Sequence, residues 1–280
     1  MAQALYDVLE EIKSLEPLPQ VAMRVLELSN HEDVVPGDIV AVIQTDAAIT
    51  AKVLKLCNSA YYGFQREIAT LTEAGVLIGV TPLANLVLTS CAGRYFRDYG
   101  HGDPHAAERL WESSVATALA ASRIARGRAA AGQARAYTAG LLQNFGYLVV
   151  DRFVPNARAR LLDEIHAGAS PLEAEERVVG MGHAEIGARL AERWQFPEIL
   201  VDTIRYHHAP ERAQVDPRLA SCAHLGEMLA RTMIPEEDEL PYRLEPGALQ
   251  ECGIRAGELE ELAQELRREV ERVKAMVAVG

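Results

Sequence analysis

Apolar side chains recur at helical spacing along most of the chain. In Val21-Ala22-Met23-Arg24-Val25-Leu26-Glu27-Leu28 the stripe falls on 21, 25 and 28, with Arg24 and Glu27 turned outward. That i, i+4, i+7 recurrence is the signature of an amphipathic helix, and nothing nearby alternates at period two. Helix starts are marked where a capping side chain precedes proline, at Thr81-Pro82, Asp103-Pro104 and Ser170-Pro171. Stops fall at the glycine-bearing turns Asn58 to Gly63 and Asp98 to Asp103. The pattern predicts an all-α protein of roughly a dozen helices and no sheet.

The turn at 98–103 separates two long, well-patterned runs, and Pro235 to Pro241 encloses an acidic loop. They divide the chain into an N-terminal helical subdomain (1–100), a second helical subdomain (101–235) and a C-terminal helical extension (236–280). The extension carries Leu259, Leu262, Leu266, Val270 and Val273 on one face of a charged helix over 258–277. Such a stripe ordinarily packs on its own domain; the alternative is a homo-oligomer formed through this helix.

Composition narrows the function classes. With 280 residues and 49% hydrophobic side chains the chain can bury a sizeable core, which excludes general disorder. Asp and Glu number 40 against 28 Lys and Arg, a formal charge of −12, so the averaged field repels nucleic acid and anionic lipid. Apolar runs such as Leu83 to Cys91 are about half the roughly 18 residues a membrane-spanning helix needs. The start, MAQALYDVLEEIKSLEPLPQ, lacks the basic opening and apolar centre of a secretory signal, so the expected location is the cytoplasm. Cys57, Cys91, Cys222 and Cys252 form no CxxC and read as buried thiols.

Candidate chemistry lies among inward-pointing polar groups. His183 shares a helix face with Ile186, Leu190 and Trp194. On the next helix Leu200, Ile204 and His208 share a face with His207 one position round, so at least one of that pair points inward. On a third helix Tyr137, Leu141, Asn144 and Leu148 make a stripe that puts an amide on an apolar face beside Gln143. Each such amide needs a partner or costs ~1–3 kcal/mol. A lone inward histidine is most often a hydrogen-bonded core residue, but buried polar groups tend to satisfy one another, so these predict one polar pocket. Glu227 either joins it or lies on a solvated face. No GxSxG, Walker or GxGxxG pattern is present, and no cofactor is signalled. Arg123, Arg126, Arg128 and Arg135 read as a solvated surface, and Tyr61-Tyr62 as packing between subdomains or a partner anchor.

These segments carry a resemblance. PLPQVAMRVLELSN from Pro17, DIVAVIQTDAAITAKVLKLCNSAYYG from Asp38, LWESSVATALAASRIA from Leu110, AGLLQNFGYLVVDRF from Ala139 and HAEIGARLAERWQFPEILVDTIRYHH from His183 resemble the HDOD family. The resemblance spans about residues 15 to 230. It implies an HDOD-type helical bundle related to HD-type metal-dependent phosphohydrolases. It also implies a non-catalytic bacterial signal-transduction or regulatory module that contacts other signalling or regulatory proteins; the net charge of −12 and the short apolar runs argue against nucleic acid or membrane as partner. At the positions of the catalytic His-Asp pair this sequence has Gln143-Asn144. An upstream histidine aligns with Ser113 and a later aspartate with Glu227, while His183 and His207 or His208 remain. An amide brings no charge, whereas a hydrolytic divalent ion needs anionic oxygen and imidazole ligands. Ser113, Gln143, Asn144, His183, His207, His208 and Glu227 are therefore expected to form a vestigial pocket holding no catalytic residue and no metal. Its remaining uses are structural support or small-ligand sensing. The rival reading is a metal-dependent phosphohydrolase acting on a nucleotide or cyclic dinucleotide, with His183, His208 and Glu227 as ligands.

Overall fold

The computed structural model describes residues 2–29, 31, 33–59, 61–99, 104–126, 130–154, 156–234 and 240–279. Every element of regular structure among them is helical, in sixteen α-helices and one 3-10 turn. The first six are α1 (Ala2–Ser14), α2 (Gln20–Leu28), α3 (Pro36–Ile43), α4 (Ala47–Cys57), α5 (Leu71–Ile78) and α6 (Val80–Tyr99). After these come α7 (Pro104–Ile124), α8 (Ala130–Leu142), α9 (Phe145–Phe153), α10 (Ala157–His166), α11 (Pro171–Val178), α12 (His183–Arg193) and α13 (Glu198–Tyr206). The 3-10 turn Pro210–Arg212 leads into α14 (Pro217–Met233), α15 (Pro246–Cys252) and α16 (Ala256–Val279).

Local chemistry sets these boundaries. Ser170 caps α11 reciprocally: its hydroxyl accepts from the Glu173 amide while the Glu173 carboxylate accepts from the Ser170 amide at 2.8 Å, with Pro171 at the first helical position. Asp216 caps α14 in one direction only, accepting from the Leu219 amide at 2.9 Å ahead of Pro217. Thr81-Pro82 marks α6 two residues late, since it puts the first helical residue at Pro82 and the helix begins at Val80. The predicted third helix through Tyr137, Leu141, Asn144 and Leu148 is two helices, because α8 ends at Leu142 and α9 begins at Phe145. The predicted cap at Asp103, the turn residues 100–103, Arg128 and the acidic residues 235–239 lie outside the described residues, as does the side chain of Val273.

Side chains from both sides of residue 100 share one core. Phe96 of α6 meets Trp111 of α7 at 5.1 Å and Phe145 of α9 at 5.3 Å between ring centroids, and Tyr95 meets Trp194 at 5.3 Å. Such edge and tilted contacts add to the area these rings bury. On α16, Leu259 and Leu266 pack within the chain, with Ile124 of α7 and Leu225 and Leu229 of α14. Tyr61 donates to Glu269 of α16 at 2.8 Å, and both tyrosines, partly buried, pack against the shared core. All four cysteines are buried free thiols. No helix among the described residues is long and apolar enough to cross a membrane.

Two close approaches position the polar residues. A Cβ on Gly226 would lie 2.8 Å from the Ala121 amide nitrogen, so the glycine lets α14 sit directly on α7. A Cβ on Gly146 would overlap the His183 carbonyl oxygen, so α9 meets the start of α12 backbone to backbone. The bend at Gln143-Asn144 directs α9 into that contact.

Candidate functional site

Gly182 caps α12 and places His183, wholly buried, at its first helical position. The stripe predicted for it is observed, with Ile186, Leu190 and Trp194 buried on the same face. Helix α13 ends at Tyr206, so His207 and His208 occupy the turn that follows and are not held to helical angular spacing. Both rings turn inward. His207 Nε2 and His208 Nε2 each lie 3.2 Å from His183 Nε2. One ligand-capable atom from each of the three histidines lies within 4.8 Å of the other two.

The opposite ring nitrogens explain this orientation. His183 Nδ1 is 2.9 Å from both carboxylate oxygens of Glu175, and the His183 amide donates to the same carboxylate at 2.7 Å. His207 Nδ1 is 2.7 Å from the Ile204 carbonyl oxygen, which can only accept, so the proton of a neutral His207 is on Nδ1. Burial pushes the His207 pKa down to about 4 and that of His208 well below the ordinary imidazole value. Burial opposes ionisation of Glu175 as well, but His183 and its other donors outweigh that and hold the carboxyl below its usual range.

Two tyrosines cover the cluster. The Tyr147 ring stacks on His183 at 4.0 Å and the Tyr242 ring on His208 at 3.9 Å. Both hydroxyls donate to Glu175, that of Tyr147 at 2.7 Å. Tyr242 belongs to the segment 240–245 between α14 and α15, which Arg231 holds through the Leu240 carbonyl at 2.9 Å. His224 clamps the same segment: its Nδ1 donates to the His207 carbonyl at 2.8 Å and its Nε2 accepts from the Glu245 amide at 2.9 Å.

On the far side of the imidazoles Glu227 is buried, yet its carboxyl stays ionised. Desolvation works against the charge, and His208, Arg231 and His207 outweigh it. One carboxylate oxygen accepts from Arg231 at 2.8 Å and the other from the Gln143 side-chain amide at 3.1 Å. That second oxygen stands 3.8 Å from His208 Nδ1 and 3.9 Å from His207 Nε2, beyond hydrogen-bonding distance.

Five of the sequence-derived positions thus come together: Gln143, His183, His207, His208 and Glu227. Asn144 is buried at the bend beside them, and no hydrogen bond among the described residues joins its side chain to the imidazoles. Ser113 is half-buried on α7 with no bond to the cluster, while its neighbour Ser114 is wholly buried. Sequence reasoning missed Glu175, Tyr147, Tyr242 and Arg231.

The HDOD domain profile matches residues 15–210. The chain belongs to the HDOD family. A Treponema pallidum (strain Nichols) protein described as uncharacterized is 31% identical over 244 residues, 84% of this chain and 46% of that protein, so the chain spans less than half the relative's length. An HDOD domain protein of unknown function from Geobacter sulfurreducens shares the fold with a TM-score of 0.76 at 23% identity, covering 99% of this chain and 97% of its own. A Marinobacter aquaeolei VT8 protein, provisionally named for signal transduction, matches with a TM-score of 0.77 at 24% identity, over 96% of this chain and 61% of its own.

The catalytic relatives implied by the HDOD resemblance depend on a divalent ion held largely by charged oxygen and imidazole. The residues here do not fit that centre. Gln143-Asn144 supplies amides, and both oxygens of Glu227 are engaged by Arg231 and Gln143. A guanidinium already balances the carboxylate that a hydrolytic cation would need.

Proposed function

We propose that this HDOD chain is a non-catalytic bacterial regulatory module, cytoplasmic, which acts in signal transduction through contacts with other proteins. The observation that carries the reading is the closed charge balance at Glu227. Its carboxylate is neutralised by Arg231, and the neighbouring imidazoles are roofed by Tyr147 and Tyr242. Metal-assisted phosphoester hydrolysis needs an open coordination position and a route for the phosphoryl group to reach it. The provisional name of the Marinobacter protein of the same fold supports signalling as the setting.

The test is turnover. The purified chain is incubated with aryl phosphates, nucleotides and cyclic dinucleotides in magnesium or manganese, and the expected rate equals that of the buffer. Phosphoesterase activity that disappears in a folded Glu227→Gln chain would overturn the reading.

A further inference from the structure

Cys222 of α14 and Cys252 at the end of α15 lie 30 positions apart in the chain, yet their sulfurs stand 3.6 Å from each other. Both are buried, in one apolar cluster with Leu219, Leu225 and Ala248. Cys57 and Cys91 are buried as well, and neither has a second thiol at such a distance among the described residues. Packing accounts for a single buried thiol, since cysteine serves as a small apolar side chain. Two thiols in contact have a further chemistry open to them. A disulfide holds its sulfurs about 2.05 Å apart, so these need approach by only about 1.5 Å.

Placement gives such a bond a consequence. Helix α15 follows directly on the segment 240–245: Glu245 flanks its first residue, and the Glu245 amide donates to His224 Nε2 on α14 at 2.9 Å. A link from Cys222 to Cys252 ties the far end of α15 to the helix that already holds its near end. Cys252 is the thiol that local opening exposes first. It closes a helix of seven residues stopped by Gly253 in the left-handed conformation (φ 64°), and short helix ends fray.

We propose that Cys222 and Cys252 form a reversible redox latch, oxidised by a hydroperoxide to a disulfide that fastens α15 to α14. The Cys252 sulfur, as thiolate, attacks the terminal peroxide oxygen; an S–O bond forms, the O–O bond breaks, and the thiol proton leaves on the alcohol released. The Cys222 sulfur then attacks the sulfenic sulfur of Cys252; the S–S bond forms, the S–O bond breaks, and hydroxide departs with the Cys222 proton as water. Two electrons pass from the thiols to the hydroperoxide, and a dithiol reverses the bond by exchange. In a reducing cytoplasm the thiols are the resting form, and disulfides there are usually transient and redox-sensing. The latch goes beyond the regulatory reading and stands or falls independently of it.

The experiment uses the full chain, reduced, freed of reductant and treated with hydrogen peroxide before it is denatured and alkylated. Trypsin puts the four cysteines on separate peptides, with Cys222 in 219–231 and Cys252 in 244–255. The expected result is an intact mass lower by two hydrogens, those two peptides joined, and Cys57 and Cys91 alkylated. Amide exchange across α15 should slow by roughly tenfold or more, and dithiothreitol should reverse every change. Cys222→Ser and Cys252→Ser should each remove the link and the slowing, whereas Cys57→Ser should keep both. Should a variant fail to fold, the peptide map and the exchange of the unsubstituted chain decide. All four cysteines alkylated, a link through Cys57 or Cys91, a link between two chains, or joined peptides with unchanged exchange across α15 would overturn the latch.

Discussion

Glu175 carries more of the site than any single histidine. It receives the His183 amide, the His183 ring nitrogen and the hydroxyls of Tyr147 and Tyr242, all out of water. Removing a carboxylate so engaged strands every donor at once. Glu175→Ala should therefore cost about 3–5 kcal/mol in urea unfolding. Glu185, which bridges Arg189 and Arg205 at 2.8 Å each on the surface, is the comparator, and its alanine variant should cost under about 1 kcal/mol. Equal losses would refute the account of Glu175. Gly146 is critical for a steric reason. Gly146→Ala forces a methyl group onto the His183 carbonyl and should cost about 3 kcal/mol, with loss of the Tyr147–His183 stacking visible in near-ultraviolet dichroism.

The faces of individual helices were legible in the sequence, since period alone orients a regular element. The stripe from His183 to Trp194, and Leu259, Leu266 and Val270 of α16, lie where their spacing puts them. Chain direction between helices was not legible. Period counting carried α8 through Asn144 and α13 through His208, but both helices end earlier. That is why Asn144 sits at a bend and why both histidines, not one, face inward. Glu175 left a signal: it lies at i+4 from Pro171 and i−3 from Val178, all three buried. An acid on an apolar stripe marks a buried partner. Arg231 likewise follows Glu227 at i+4. Tyr242 lies in a connecting segment with no period to read. For α16 the expectation is energetic: Leu266, wholly buried against α7 and α14, should cost about 2–5 kcal/mol on change to alanine. A loss near zero, measured by the urea midpoint, would mean the helix contributes no core.

Across the whole molecule, buried weak acids set the response to alkali. Burial pushes the thiols of Cys57 and Cys91 up to about 11 and about 12, and Tyr137, bonded to Thr89 at 2.7 Å, up to about 12. The folded chain keeps these protons after the unfolded chain has released them, so it binds more protons above the ordinary values of 9.0 and 10.0. Their contribution is complete below about pH 9 and is lost as pH rises toward 12, at about 1.4 kcal/mol for each tenfold by which folding tightens the hold on a proton. Urea midpoints should fall from pH 8 to pH 10.5, roughly spanning that onset, and constant midpoints would contradict the assignment. The segment 240–245 sets a different limit, one of time. His224 fastens it at Glu245 and Arg231 at Leu240, and its Tyr242 covers His208, so a molecule approaching the histidine cluster from that side must wait for the segment to lift. Entry then becomes a first-order process whose rate stops rising with ligand concentration and equals the opening rate. At alkaline pH, where an exposed amide exchanges faster than the segment recloses, the Glu245 amide proton reads the same clock, so the two rates should agree there and should both quicken when His224 is shortened to alanine.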